Sequence, residues 1–117
     1  MTIELVKSVA ENVYFTLGAG HSESVYARAL AVGLQKEHHV NIETERVFPL
    51  TYLNEYIGFC RPDIIIDKTI VLEIKCLAQL SSTQRLQLLR YLRLPLIQKG
   101  LLINFGPTQV DFFYSHA

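Results

Sequence analysis

The chain has 117 residues, half of them apolar, which is enough for one domain with a real core and excludes a disordered composition. Formal net charge is zero, with 11 basic and 11 acidic residues, so the overall electropositive excess of a tight non-specific DNA binder is missing and only a local basic patch remains open. No apolar run approaches the roughly 20 residues that span a bilayer. Met1-Thr2-Ile3-Glu4-Leu5 lacks the basic start and apolar core of a signal peptide. Cys60 and Cys76 fit a reducing compartment, so a cytoplasmic protein with no membrane partner is expected.

Glu4 to Leu17 carries apolar residues at Leu5, Val6, Val9, Val13 and Leu17, a helical spacing that Gly18-Ala19-Gly20 ends. Ser22 is a natural cap for a second helix running to about His38, with Tyr26, Ala27, Leu30 and Leu34 as its apolar stripe. Val40 to Leu53 reads as one strand, Asn54-Glu55 as a turn, and Tyr56 to Ile66 as a second strand, bent at Pro62 because proline has no ladder donor. Thr69 to Leu77 is a third strand. Ser81 or Ser82 caps a helix that continues to Leu94 and stops at Pro95. Leu101 to Phe105 and Val110 to Tyr114 complete the order α-α-β-β-β-α-β-β. This predicts a single α/β domain over residues 1–117, a mixed β-sheet flanked by helices.

The chemistry concentrates in Arg61-Pro62-Asp63 and, ten residues after the aspartate, Glu73-Ile74-Lys75. Strand side chains alternate faces, so Glu73 and Lys75 point one way and Ile70, Leu72, Ile74 and Cys76 the other. If Asp67-Lys68-Thr69 is a three-residue loop, Ile66 pairs with Ile70 and Asp63 lies directly opposite Glu73. Opposed Cβ atoms sit about 4.5–5.5 Å apart. Two carboxylates that close repel unless a proton or cation lies between them, and a hard divalent cation suits such oxygen donors. The same register sets Cys60 opposite Cys76, read as two reduced, mostly buried thiols. In the third helix Gln84, Gln87 and Tyr91 share a face, and Arg85, Arg90 and Arg93 are candidates for phosphate contacts. Glu23 opens the second helix, where the helix dipole favours a carboxylate, and Tyr26 reads as core. An Asp, a Glu and a Lys on one hairpin also fit an ordinary solvated ion-pair face. Such pairs add only about 0–1 kcal/mol, so stability gives little reason to cluster them there.

Pro62-Asp63 followed by Glu73-x-Lys75 and a helix resembles the PD-(D/E)xK nuclease superfamily. Within it, Gly20-x-x-Glu23-x-x-Tyr26 looks like the signature of the GxxExxY proteins. Gln87-Leu88-Leu89-x-Tyr91-Leu92 and the segment from Gly100 to Gly106 are similar to that group as well. The resemblance runs from about Leu17 to Phe113. It implies a restriction-endonuclease-like core and hydrolysis of phosphodiester bonds of nucleic acid. By that resemblance Asp63, Glu73 and the backbone carbonyl of Ile74 would hold Mg²⁺ (or Mn²⁺), with Glu23 as a further acidic ligand or water-orienting group. Lys75 would position the attacking water or stabilise developing charge, and Gln87 would contact the site or a substrate phosphate. Where the group often has a histidine near the start of the third helix, this chain has Thr83-Gln84, so no role is carried to Gln84. The superfamily also contains inactive members, so a nuclease-like module that binds nucleic acid or protein without cutting is the alternative. The high apolar content leaves surface for self-association, and a homodimer is one expected assembly.

Overall fold

A computed structural model describes all of residues 1–117. Helix α1 spans Ile3–Leu17, with the Thr2 hydroxyl accepting the Leu5 N–H at 3.2 Å. Its buried stripe is Val6, Val9, Ala10 and Val13, and Gly18, at φ 77°, closes it. Helix α2 spans Glu23–His38; the Ser22 hydroxyl accepts the Val25 N–H at 3.3 Å, and Tyr26, Leu30, Ala31 and Leu34 are buried. The two helices approach closely at Gly33, where a Cβ would stand 2.8 Å from a Val9 methyl.

Five strands form the main sheet: β1 (Ile42–Thr44), β4 (Ile64–Ile66), β5 (Ile70–Lys75), β6 (Lys99–Phe105) and β7 (Val110–His116), in the order β1-β4-β5-β6-β7. Only β5 and β6 are parallel, joined across helix α3 (Ser82–Tyr91). Strands β2 (Phe48–Tyr52) and β3 (Glu55–Cys60) pair as a separate ribbon with a bulge between Leu50 and Thr51. The mixed sheet flanked by helices follows the expected order of elements, with two expected strands each divided in two.

Both divisions have a physical cause. The strand expected over residues 40–53 breaks after Thr44, where Glu45 takes φ 53° and donates its N–H to the Asp63 carbonyl at 3.1 Å. The strand expected over residues 56–66 breaks at Arg61-Pro62-Asp63 instead of bending, because Pro62 offers no ladder donor. The chain thus leaves the sheet after β1, forms the ribbon, and re-enters at β4. This undoes the expected pairing of the cysteines: Cys60 faces Phe48 across the ribbon, and both thiols are free. Helix α3 is also shorter than expected. It ends at Tyr91, and Arg93 and Leu94 make tighter bonds to the Arg90 and Tyr91 carbonyls at 3.1 and 3.0 Å. The residue before a proline disfavours helical backbone, so the last turn tightens ahead of Pro95.

The sheet is buried on both faces, so β5 reads as a near-continuous apolar run. One face, with Ile64, Ile66, Leu72, Ile74, Leu101 and Ile103, packs under α1 and α2. The other, with Ile65, Val71 and Leu102, packs against Leu88, Tyr91 and Leu92 of α3 and its exit, and against Phe48 of the ribbon.

Candidate functional site

The β4–β5 hairpin places the acids. Asp67 and Lys68 adopt φ 50° and 63°, a tight turn that sets Ile66 opposite Ile70 and Ile64 opposite Leu72. One step further along this register, Asp63 faces Glu73. The Asp63 carboxylate accepts the Ile74 backbone N–H at 2.8 Å, which anchors it across the hairpin. Glu73 is 3% exposed and lies on the α3 face of the sheet, where the same alternation puts Lys75.

Burial is the largest influence on Glu73 and pushes its carboxyl from 4.5 up to about 9. A hydrogen bond with Asp63 and the charge of Asp63 add to this, while Tyr91 and Lys75 oppose it. Near neutral pH Glu73 therefore keeps its proton. Tyr91 is buried against Glu73, and its phenol is pushed well above the usual range, first by burial and then by the Glu73 charge. Its hydroxyl accepts the Gln87 amide at 3.2 Å. Gln87 thus reaches the acids through Tyr91. Lys75 is partly exposed and forms no ion pair with a carboxylate within 4.0 Å.

Glu23 opens onto a cavity that Glu73 does not line. It is exposed in the first turn of α2 and lines a cavity of about 590 Å³ with Arg28, Glu45 and Asp63. Asp63 is thus shared between the buried carboxyl pair and this cavity. Glu45, which the sequence does not single out, enters through its left-handed backbone. No group of three His, Cys, Asp or Glu side chains converges to cage an ion.

Other expected residues have structural duties. The Gln84 side chain accepts the Ser81 N–H at 2.9 Å and the Ser81 hydroxyl at 2.7 Å, so it caps α3. Tyr26 is fully buried and stacks on Phe105 at 4.3 Å between ring centroids. Its hydroxyl donates to the Gly18 carbonyl at 2.5 Å and accepts the His21 N–H at 3.3 Å. This gives Gly20-x-x-Glu23-x-x-Tyr26 a physical meaning: the turn starts α2 with Glu23 facing the cavity, and Tyr26 pins that turn to the core. Asn104, buried on β6 beside Lys75, holds the Leu77 N–H at 2.8 Å and donates to the Leu77 carbonyl at 3.0 Å. Sequence patterning gave no sign of this clamp on the exit of β5.

The donor set suits a hard cation. Asp63 and Glu73 supply two neighbouring carboxyl groups, the oxygen donors such an ion takes. A family model described as the PD-(D/E)XK nuclease superfamily matches residues 1–113. The chain belongs to that superfamily. A solved structure described as "Crystal structure of SSO0001" is similar at a TM-score of 0.63 and 24% identity, over 80% of this chain and 48% of that one. That likeness shows a shared fold, and the match spans about half the length of that solved protein. Among curated proteins none matches the chain. No helix of this PD-(D/E)XK protein is long and apolar enough to cross a membrane.

Proposed function

We propose that this PD-(D/E)XK protein is a divalent-metal nuclease of the GxxExxY group, with residues 1–117 forming one nuclease-like domain. The observation that carries the reading is the buried Glu73 held against Asp63, itself fixed by the Ile74 N–H at 2.8 Å. Stability does not call for such a pair, since two adjacent carboxyl groups in a low-dielectric site repel as soon as both ionise.

In this reading Asp63, Glu73 and the Ile74 carbonyl hold Mg²⁺ or Mn²⁺. The ion, when bound, polarises the phosphoryl oxygen and lowers the pKa of water. Glu23 faces the cavity that Asp63 also lines and orients water or substrate there. Lys75, unpaired and on the Glu73 face, meets negative charge that develops on the phosphate. Gln87 fixes the Tyr91 hydroxyl through the 3.2 Å amide–hydroxyl bond, and Tyr91 in turn positions Glu73. The partner is nucleic acid, and the reaction is phosphodiester hydrolysis.

The test is nicking or degradation of DNA or RNA with added Mg²⁺ or Mn²⁺. Asp63→Ala and Glu73→Gln should each abolish cleavage. Cleavage that survives in both variants overturns the assignment. The second reading, a module that binds without cutting, draws on the missing third acidic ligand near Asp63 and Glu73. Calorimetry separates the two: no heat of divalent-ion binding at millimolar concentration favours the inactive module.

A further inference from the structure

Arg61 follows Cys60 at the end of β3, and Arg90 and Arg93 lie at the end of α3 and just past it. The fold brings these three to one groove of about 570 Å³ between the ribbon and the helix. Phe59, Gln87 and Tyr91 also line it, and no acidic residue does. All three arginines are exposed, and the ion pairs of the molecule, Lys7–Glu4 and Arg46–Glu43, involve none of them. Arg90 also lies close enough to Cys60 for its charge to act on that thiol across the groove. Arg85, by contrast, stacks over Phe113 at 5.2 Å and leaves the set.

We propose that this groove seats a single-stranded polynucleotide, with the guanidinium groups on its phosphates and the half-exposed Phe59 ring under a base. This rests on the nuclease reading for the class of partner, and goes beyond it in the path and the strandedness. Guanidinium forks match phosphate oxygens in two-point contacts, and three with no carboxylate partner await an anion. The volume falls in the range of small-molecule sites, about 300–1,000 Å³, room for one nucleotide at a time. An aromatic ring beside a basic track is how single strands are held without sequence preference. Position supplies the link to chemistry: Tyr91 and Gln87 form one wall of the groove, and Tyr91 touches Glu73 on its other side. A backbone lying in the groove is led toward the acids.

The experiment is fluorescence anisotropy with labelled single-stranded oligothymidylate, in deoxy and ribo forms, and a matched duplex, all in EDTA so that nothing is cut. Single strands should bind better than the duplex. The Arg90→Ala/Arg93→Ala double variant should lose about tenfold or more, with a salt dependence shallower by about 0.7 per arginine removed. Phe59→Ala should lose about fivefold or more. These side chains are exposed, so circular dichroism should stay unchanged. Unchanged affinity in both groove variants overturns the proposal, as does a preference for duplex. So does a groove substitution that only disperses a dimer seen by light scattering. Cleavage assays keep the two readings apart. Groove binding without Mg²⁺-dependent cleavage removes the metal reading alone, and cleavage with an unchanged KM in the double variant removes the groove alone.

Discussion

Burying Glu73 beside Asp63 is unfavourable unless the pair carries a proton or meets a cation. Its carboxyl is raised from 4.5 to about 9, so between those values the folded chain holds a proton that the unfolded chain has released. Stability from this group is therefore complete below about pH 4.5 and is lost as pH rises toward about 9. Urea melts in EDTA should show stability falling across this window, with Glu73→Gln flattening the fall. Saturating Mn²⁺ should oppose it, because the ion replaces the proton and binds more tightly as pH rises. A metal-free stability curve that is level in this window would contradict a buried, protonated Glu73. Much of this pair was legible: the loop length and strand alternation put residues 63 and 73 opposite each other. The contribution of Tyr91 was not, because a tyrosine on a helix shows nothing of the strand it will pack on.

Among the elements, the α1–α2 contact and the β5 exit respond to single atoms. Gly33→Ala gains about 1 kcal/mol of helix propensity. It also drives a Cβ to 2.8 Å from Val9, whose branched side chain is stiff, so overpacking of about 1–3 kcal/mol should win. Thermal denaturation should show a net loss; a gain would mean the helices separate freely. Asn104→Ala leaves the Leu77 N–H and carbonyl without their buried partner and should cost about 2–3 kcal/mol, read by the same melts. The helices themselves were readable because Ser22, Gly18 and the apolar stripes act locally. The strands over residues 40–53 and 56–66 were not, since their composition is equally good for one long strand or two short ones. The breaks at Glu45 and Pro62 are decided by where the chain must leave one sheet for another, and the pairing of Cys60 with Phe48 follows from that departure.

At the scale of the molecule, the β2–β3 ribbon stands outside the five-stranded sheet and is tied to the body chiefly through Phe48 and Cys60. It exposes Tyr52, Leu53, Tyr56, Ile57 and Phe59. An isolated two-stranded ribbon is marginal in water. Hydrogen exchange should find its amides opening at much lower free energy than those of β5 and β6, which are buried on both faces. Equal protection in the two places would mean that the ribbon folds as one unit with the sheet. Its position also explains how a chain of zero net charge can hold a basic groove: Arg61 at the foot of the ribbon meets Arg90 and Arg93 at the end of α3, and no acidic residue lines the groove.

Order along the chain was enough for the helices, the β4–β5 register and the facing of Asp63 on Glu73, because caps, turns and alternation act over a few residues. Three things waited for tertiary structure: the splitting of two strands, the meeting of Glu23 and Asp63 at one cavity, and the meeting of Arg61 with Arg90 and Arg93. Each joins residues far apart in sequence, and no local preference encodes which distant surface a side chain will face.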